Sequence, residues 1–181
     1  MSEVSINLEG LSEDPTQRLP SNTNLSLANQ FRFNIERLPK TTYFCQAANL
    51  PGMSIASSVQ PTRFALDIHM PGNKAQLNLL NIKFLVDEDL KNYKEIVAWM
   101  RQCVPFADHE EVLPDFQKVF SDATLFILTS AKRPVLKVRF ENCFPVQISD
   151  IDYSSDVTDP SPRVVSCSFR YHDYKFEDAE T

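Results

Sequence analysis

The sequence predicts a mainly β protein, an antiparallel β-sandwich or barrel of about six or seven strands with one α-helix on its flank. Three observations lead there. Short segments alternate apolar with polar residues along most of the chain, one stretch alone has helical spacing, and only 3 glycines stand beside 12 prolines in 181 residues. Glycine-rich phosphate loops need more material than that, whereas prolines stiffen extended connections. Thirteen phenylalanines supply large apolar side chains suited to the core of a sheet.

Taken in order, residues 1–28 hold Ser, Asn, Asp and Pro with single hydrophobic residues and no periodicity, and read as an extended N-terminal arm ahead of one domain, 29–181. The first strand covers 30–38, with Phe31, Phe33 and Ile35 on one side and Arg32, Asn34 and Glu36 on the other. Pro39 and Lys40 turn the chain into a second strand at 42–48. Residues 50–75 are punctuated by Pro51-Gly52, Pro61 and Pro71-Gly72 and read as a long protruding loop or hairpin, with Phe64, Leu66 and Ile68 at alternating positions. The strand at 77–86, with Leu80, Ile82, Phe84 and Val86 on one face, is expected to lie centrally in the sheet.

The period then changes. Leu90, Tyr93, Ile96, Val97 and Met100 recur at three- and four-residue spacing, which predicts a helix at about 88–103, capped by Asp87 or Asp89 and ended before Pro105. Further strands are expected at 122–130, 135–140 and 164–175, the last alternating Val165, Cys167, Phe169 and Tyr171 with polar residues.

Motifs for chemistry are weak. His109-Glu110-Glu111 begins like a zinc-binding HExxH, but Leu113 stands where the second histidine is needed. Asp150, Asp152, Asp156 and Asp159 cluster without the glycine and closing glutamate of a calcium loop, and read as turn residues. No nucleophile signature accompanies His69, His109 or His172. No catalytic, cofactor or metal residue is therefore assigned, and no enzyme activity is expected. Cys45, Cys103, Cys143 and Cys167 lack CxxC spacing and are expected to be reduced thiols. A net charge of −6 argues against general nucleic-acid binding, although DNA can slide past an acidic wall. No apolar run is long enough to span a bilayer, and the start lacks the features of a secretory leader, so a cytosolic protein or a particle assembled there is expected.

The opening strand Gln30-Phe31-Arg32-Phe33-Asn34-Ile35, then Phe44-Cys45-Gln46-Ala47 and Leu50-Pro51-Gly52, form an ordered series with Asp67-Ile68-His69-Met70-Pro71-Gly72. It continues through the strand 80–87, Trp99 in the helix, residues 139–146 and Phe169-Arg170-Tyr171. This series resembles the tail tube family of contractile-tailed phages, related in fold to the tubes of type VI secretion systems and pyocins. The resemblance implies a virion structural subunit that forms hexameric rings, stacked into a tube through which genomic DNA passes, with tail sheath and baseplate proteins as partners and no membrane. The long arm leaves open a baseplate tube initiator, a cap or a tail terminator of the same fold. From another class, a small ligand-binding β-barrel is also compatible with the aromatic strands.

Two sets of residues carry the expected function. Met53, Ile55, Phe64, Leu66 and Ile68 are costly to leave in water, so 51–73 and the arm before Leu27 are expected to form contacts between subunits. Arg32, Asn34, Asn81 and Lys83, on polar faces of strands, are the candidates to face the lumen.

Overall fold

The computed structural model describes residues 25–63, 65–104, 119–155 and 162–178. Among them are nine strands and two helices: β1 (Phe31–Ile35), α1 (Pro39–Tyr43), β2 (Cys45–Ala48), β3 (Met53–Gln60), β4 (Ile68–Leu77), β5 (Leu80–Leu85), α2 (Lys91–Cys103), β6 (Ser121–Leu128), β7 (Pro134–Ile148), β8 (Val164–Arg170) and β9 (Asp173–Asp178). Seven strands form one antiparallel sheet in the order β1-β6-β7-β8-β5-β2, with β9 also on β7, and β3 and β4 pair only with each other. The mainly β, antiparallel architecture with a flanking helix is the one the alternation predicts.

The long strand β7 organises the sheet. Its first part pairs with β6 on one side and β9 on the other, while residues 144–148 pair with β8. Asn142 lies between these parts at φ 55°, and its N–H donates to Asp122 Oδ1 at 3.2 Å. Such a left-handed residue bends a strand, and asparagine tolerates it better than most. The bend divides the sheet into a first half, β1-β6-β7-β9, and a second half, β7-β8-β5-β2. Their inner faces meet in a single core containing Phe33, Ile35, Leu125, Val138 and Phe140 from the first and Leu80, Ile82, Phe84, Val165 and Phe169 from the second.

Helix α2 closes this core with Ile96, buried as its spacing predicts, and with Trp99, which the periodic set did not include. The Trp99 ring lies 5.9 Å from that of Phe169, and its Nε1–H donates to the Val119 carbonyl at 2.6 Å. The Arg37 guanidinium lies over the Trp99 ring, 5.4 Å from its centroid, and donates to the same carbonyl. Trp99, Phe84, Phe140 and Phe169 are fully buried, so the interior is filled by side chains.

Four local expectations need correction. Neither Asp87 nor Asp89 caps α2. The helix starts from Leu90, left-handed at φ 56°, and the buried Asn92 holds the turn: its Oδ1 accepts from Asp87 N–H (3.3 Å) and Tyr93 N–H (2.8 Å), and its Nδ2–H donates to the Leu85 carbonyl (2.7 Å). The stretch at Pro39 is a short helix, with proline in the first turn where its missing N–H costs nothing. The strand expected at 164–175 is two strands, because β8 follows one part of β7 and β9 the other; the break falls where His172 N–H donates to the Glu141 carbonyl at 3.0 Å. Finally, β5 is not central. It lies between β8 and the end strand β2, although its apolar face is completely buried.

Candidate assembly site

The chain leaves the body at Pro51 and returns at Asn78, and between them β3 and β4 form an isolated hairpin. Its base is polar and well bonded. Asn78 N–H donates to the Gly52 carbonyl at 3.0 Å, Asn49 Nδ2–H to the Leu79 carbonyl at 3.1 Å, and the Tyr171 hydroxyl to the Asn78 carbonyl at 2.9 Å. Burial raises the Tyr171 pKa to about 12, which keeps that donor protonated. Near the tip, Thr62 Oγ1 donates to the Leu66 carbonyl at 2.7 Å.

Every residue of β3 is exposed, and nearly every residue of β4. Residues paired across the strands share a face. Met53 pairs with Leu77, Ile55 with Ala75 and Val59 with His69, which puts Met53, Ile55 and Val59 on one face. Ser58 pairs with Met70 and Gln60 with Ile68, which puts Met70 and Ile68 on the other. Between Ile55 and Ser57 the register shifts around Ala56, opposite which Gly72 passes so closely that a Cβ there would lie 2.5 Å from the Ala56 carbonyl oxygen.

The structure thus divides the five expected contact residues. Met53 and Ile55 lie on one face, Ile68 on the other, Leu66 sits near the tip and is 83% exposed, and Phe64 lies outside the described residues. Val59 and Met70, each about as exposed as Ile68, belong to the same apolar surface and were missed. Their signal was present in the same alternation, at Val59 two residues beyond Ser57 and at Met70 two beyond Ile68. The arm before Leu27 lies outside the described residues except Leu25 and Ser26, of which Leu25 is fully in water.

The four lumen candidates are all exposed but do not share a surface. Arg32 and Asn34 project from the outer face of the first half of the sheet, where Arg139–Asp122 (2.7 Å), Lys137–Glu177 (2.6 Å) and Lys175–Glu141 (2.8 Å) form ion pairs. The hydrogen bond from Arg139 holds the Asp122 carboxyl below its usual pKa. Asn81 and Lys83 project from the second half beside Ser168 and Ser166, and the Ser168 hydroxyl donates to Asn81 Oδ1 at 2.7 Å. Because the halves share one core, these outer faces point away from each other.

Among the described residues, no other candidates for chemistry come together. The four cysteines are free thiols; burial raises Cys143 and Cys167 to about 12 and Cys45 to about 11, which leaves them unreactive near neutrality. His109, Glu110, Glu111, Asp156 and Asp159 lie outside the described residues, among which no group of metal-binding side chains occurs. Among the described residues no helix is long and apolar enough to cross a membrane.

Comparison with known proteins gives a family match described as phage tail tube protein over residues 18–177. No curated protein sequence matches the chain. Solved structures of similar fold include the tube-terminating cap of the anti-feeding prophage, at TM-score 0.60 and 13% identity over 91% of this chain and 99% of that one. The sheath/tube terminator of the extracellular contractile injection system PVC gives TM-score 0.60 and 12% identity, over 86% and 99%. The PVC sheath-tube complex gives 0.55 and 14%, over 87% and 94%.

Proposed function

The chain belongs to the phage tail tube protein family, and from that premise we propose that it is a subunit of a phage tail tube that assembles into stacked hexameric rings around a DNA-conducting channel. Its role is structural rather than enzymatic, as the family's is. The observation that carries the finer reading is the hairpin, whose apolar residues occupy both faces while its own subunit covers neither. A surface of that kind is stable in solution only when other protein lies against both sides. Neighbouring subunits supply such cover if the hairpin inserts between them, through Met53, Ile55 and Val59 on one side and Ile68 and Met70 on the other, with Leu66 near the tip and Phe64 kept from the sequence as a further contact residue.

A lumen wall is one surface, so the two pairs of polar candidates do not both line it. The face of Asn81 and Lys83 is the proposed wall, because its serine and amide groups offer DNA few fixed charges to hold it, and the net charge of −6 disfavours adhesion. Sheath and baseplate proteins are the proposed outer and end partners, in a virion tail assembled in the host cytoplasm. Electron microscopy of the purified protein tests the reading. Rings or rods of six-fold symmetry are expected; strict monomers at high concentration overturn it. On assembled tubes, a cysteine placed at Lys83 and shielded from a bulky external thiol reagent supports the wall assignment, and free labelling there refutes it.

A tube initiator, cap or terminator of the same fold is the second reading. It is favoured by residues 1–17, which fall outside the family match and give the chain material beyond a tube subunit. Single rings that never stack support it, and rods of open length exclude it.

A further inference from the structure

The two end strands of the main sheet, β1 and β2, are each paired on one side only among the described residues. Between them opens a groove of about 550 Å³. Its lining combines apolar Phe31, Phe33, Cys45 and Leu128 with two cations, Arg32 and Lys132. Native proteins cover open sheet edges, and no described strand of the same subunit pairs here. The groove and the hairpin lie at opposite ends of the core. On the β2–β5 ladder, Cys45 in the groove pairs with Phe84, whereas the hairpin departs beyond Asn49, whose N–H donates to the Asn81 carbonyl at 3.1 Å. On the first half of the sheet, Phe31 in the groove pairs with Ile127. The hairpin's return at Asn78 is held instead by Tyr171, whose ring packs on Phe140, in the row of Ile35 and Ala123. Each separation is four residues, about 13 Å along a strand. A projection at one end and an open groove at the other is the geometry of a heterologous contact, in which each copy gives its hairpin to one neighbour and receives another's.

The tip of the hairpin carries matching chemistry. Leu66 stands almost wholly in water, and next to it is Asp67, the one carboxylate in residues 50–79. Asp67 Oδ1 accepts from Thr62 N–H at 3.3 Å, so the turn fixes the carboxylate beside the leucine. None of Asp67, Arg32 and Lys132 has an ion-pair partner among the described residues. Arg63 in the same turn leaves the tip without net charge, so a cationic groove selects it by the placed carboxylate.

We infer that the hairpin tip of one copy seats in the β1–β2 groove of a second copy, with Leu66 against Phe31 and Leu128 and with Asp67 between Arg32 and Lys132. This pairing rests on the tube reading and supplies the receptor for its hairpin. Charge reversal in the full chain tests it, with assembly read by sedimentation and electron microscopy. One variant, Asp67→Lys, reverses the tip; the other, Arg32→Glu with Lys132→Glu, reverses the groove. Each alone is expected to need about a hundredfold more protein to assemble, the scale on which like charges oppose an interface, with unchanged circular dichroism. Mixed in equal amounts, the two are expected to assemble as the wild-type chain does, because the reversed tip then meets the reversed groove and the native tip the native groove. That rescue also shows both variants to be folded. Either variant assembling alone at wild-type concentrations, or a mixture that stays soluble, overturns the pairing. Wild-type protein that itself never assembles overturns the tube reading, and the pairing with it.

Discussion

Strands β4 and β5 are separated by only Asn78 and Leu79 and both alternate, yet they meet opposite fates. In β5 the apolar residues Leu80, Ile82 and Phe84 share one face and are fully buried, while Asn81 and Lys83 share the other and face water. In the hairpin, β4 turns Ile68 and Met70 to one side while β3 turns Met53, Ile55 and Val59 to the other, and all five stay exposed. A strand with one apolar face is satisfied by its own domain. An apolar ribbon with two such faces is not, and under the proposed assembly neighbouring subunits complete it.

If this contrast is correct, substitutions in the two regions should separate stability from assembly. The largest effect on stability is expected at Phe169, fully buried against Trp99. Phe169→Ala should cost about 3–5 kcal/mol, read by denaturant unfolding, and should abolish assembly by unfolding the subunit. Asn92→Ala comes next. It strands the Asp87 and Tyr93 N–H groups at the start of α2 and should cost about 1–3 kcal/mol, seen as a lower melting temperature with an unchanged fold by circular dichroism.

A smaller effect belongs to the ion pair on the outer sheet. Asp122 has its folded pKa depressed from the ordinary 3.8, chiefly by the Arg139 hydrogen bond, so its contribution is present above that value and is lost as pH falls through the lower folded pKa. The pair is largely in water, and Arg139→Gln should cost less than about 1 kcal/mol. Melting curves of the two proteins should differ near neutrality and converge in acid; a difference that persists in strong acid contradicts this assignment.

The smallest effect on the subunit is expected where the effect on assembly is greatest. Leu66→Ser with Ile68→Ser should change the stability of the monomer by no more than about 0.5 kcal/mol and stop ring or tube formation in sedimentation. Gly72→Ala, which drives a methyl group against the Ala56 carbonyl, should distort the hairpin with the same separation of outcomes. A normal tube from either variant erases the contrast between β5 and the hairpin, and loss of folding places the hairpin in the core.

Much of the core was legible because alternation is a local property. Phe33, Ile35, Leu80, Ile82, Phe84, Val165, Cys167 and Phe169 fall inside as their period requires, and so does Ile96 of α2. The errors arose where distant partners decide. An aspartate at a helix start is a sound local reading, but Asn92 reaches the same N–H groups from inside the first turn. The run 164–175 looks like one strand by itself; it breaks because the strand it follows, β7, bends at Asn142. Of the contact residues, Val59 and Met70 continue the alternation of those named, but that they lie on opposite faces follows only from the hairpin register.

By itself, then, the sequence determined that this is a β protein, which side of each strand is apolar, where the long helix lies and that residues 50–75 have too little periodic apolar character to join the core. The tertiary structure alone decided that β5 sits beside an end strand, that the Arg32 and Lys83 faces point apart, and that the hairpin is apolar on both sides. The physical reason is one of range. Side-chain direction follows from the two-residue repeat of the strand itself, but neighbours and register depend on pairings between residues far apart in the chain, such as Lys83 with Ser166 and Phe31 with Ile127.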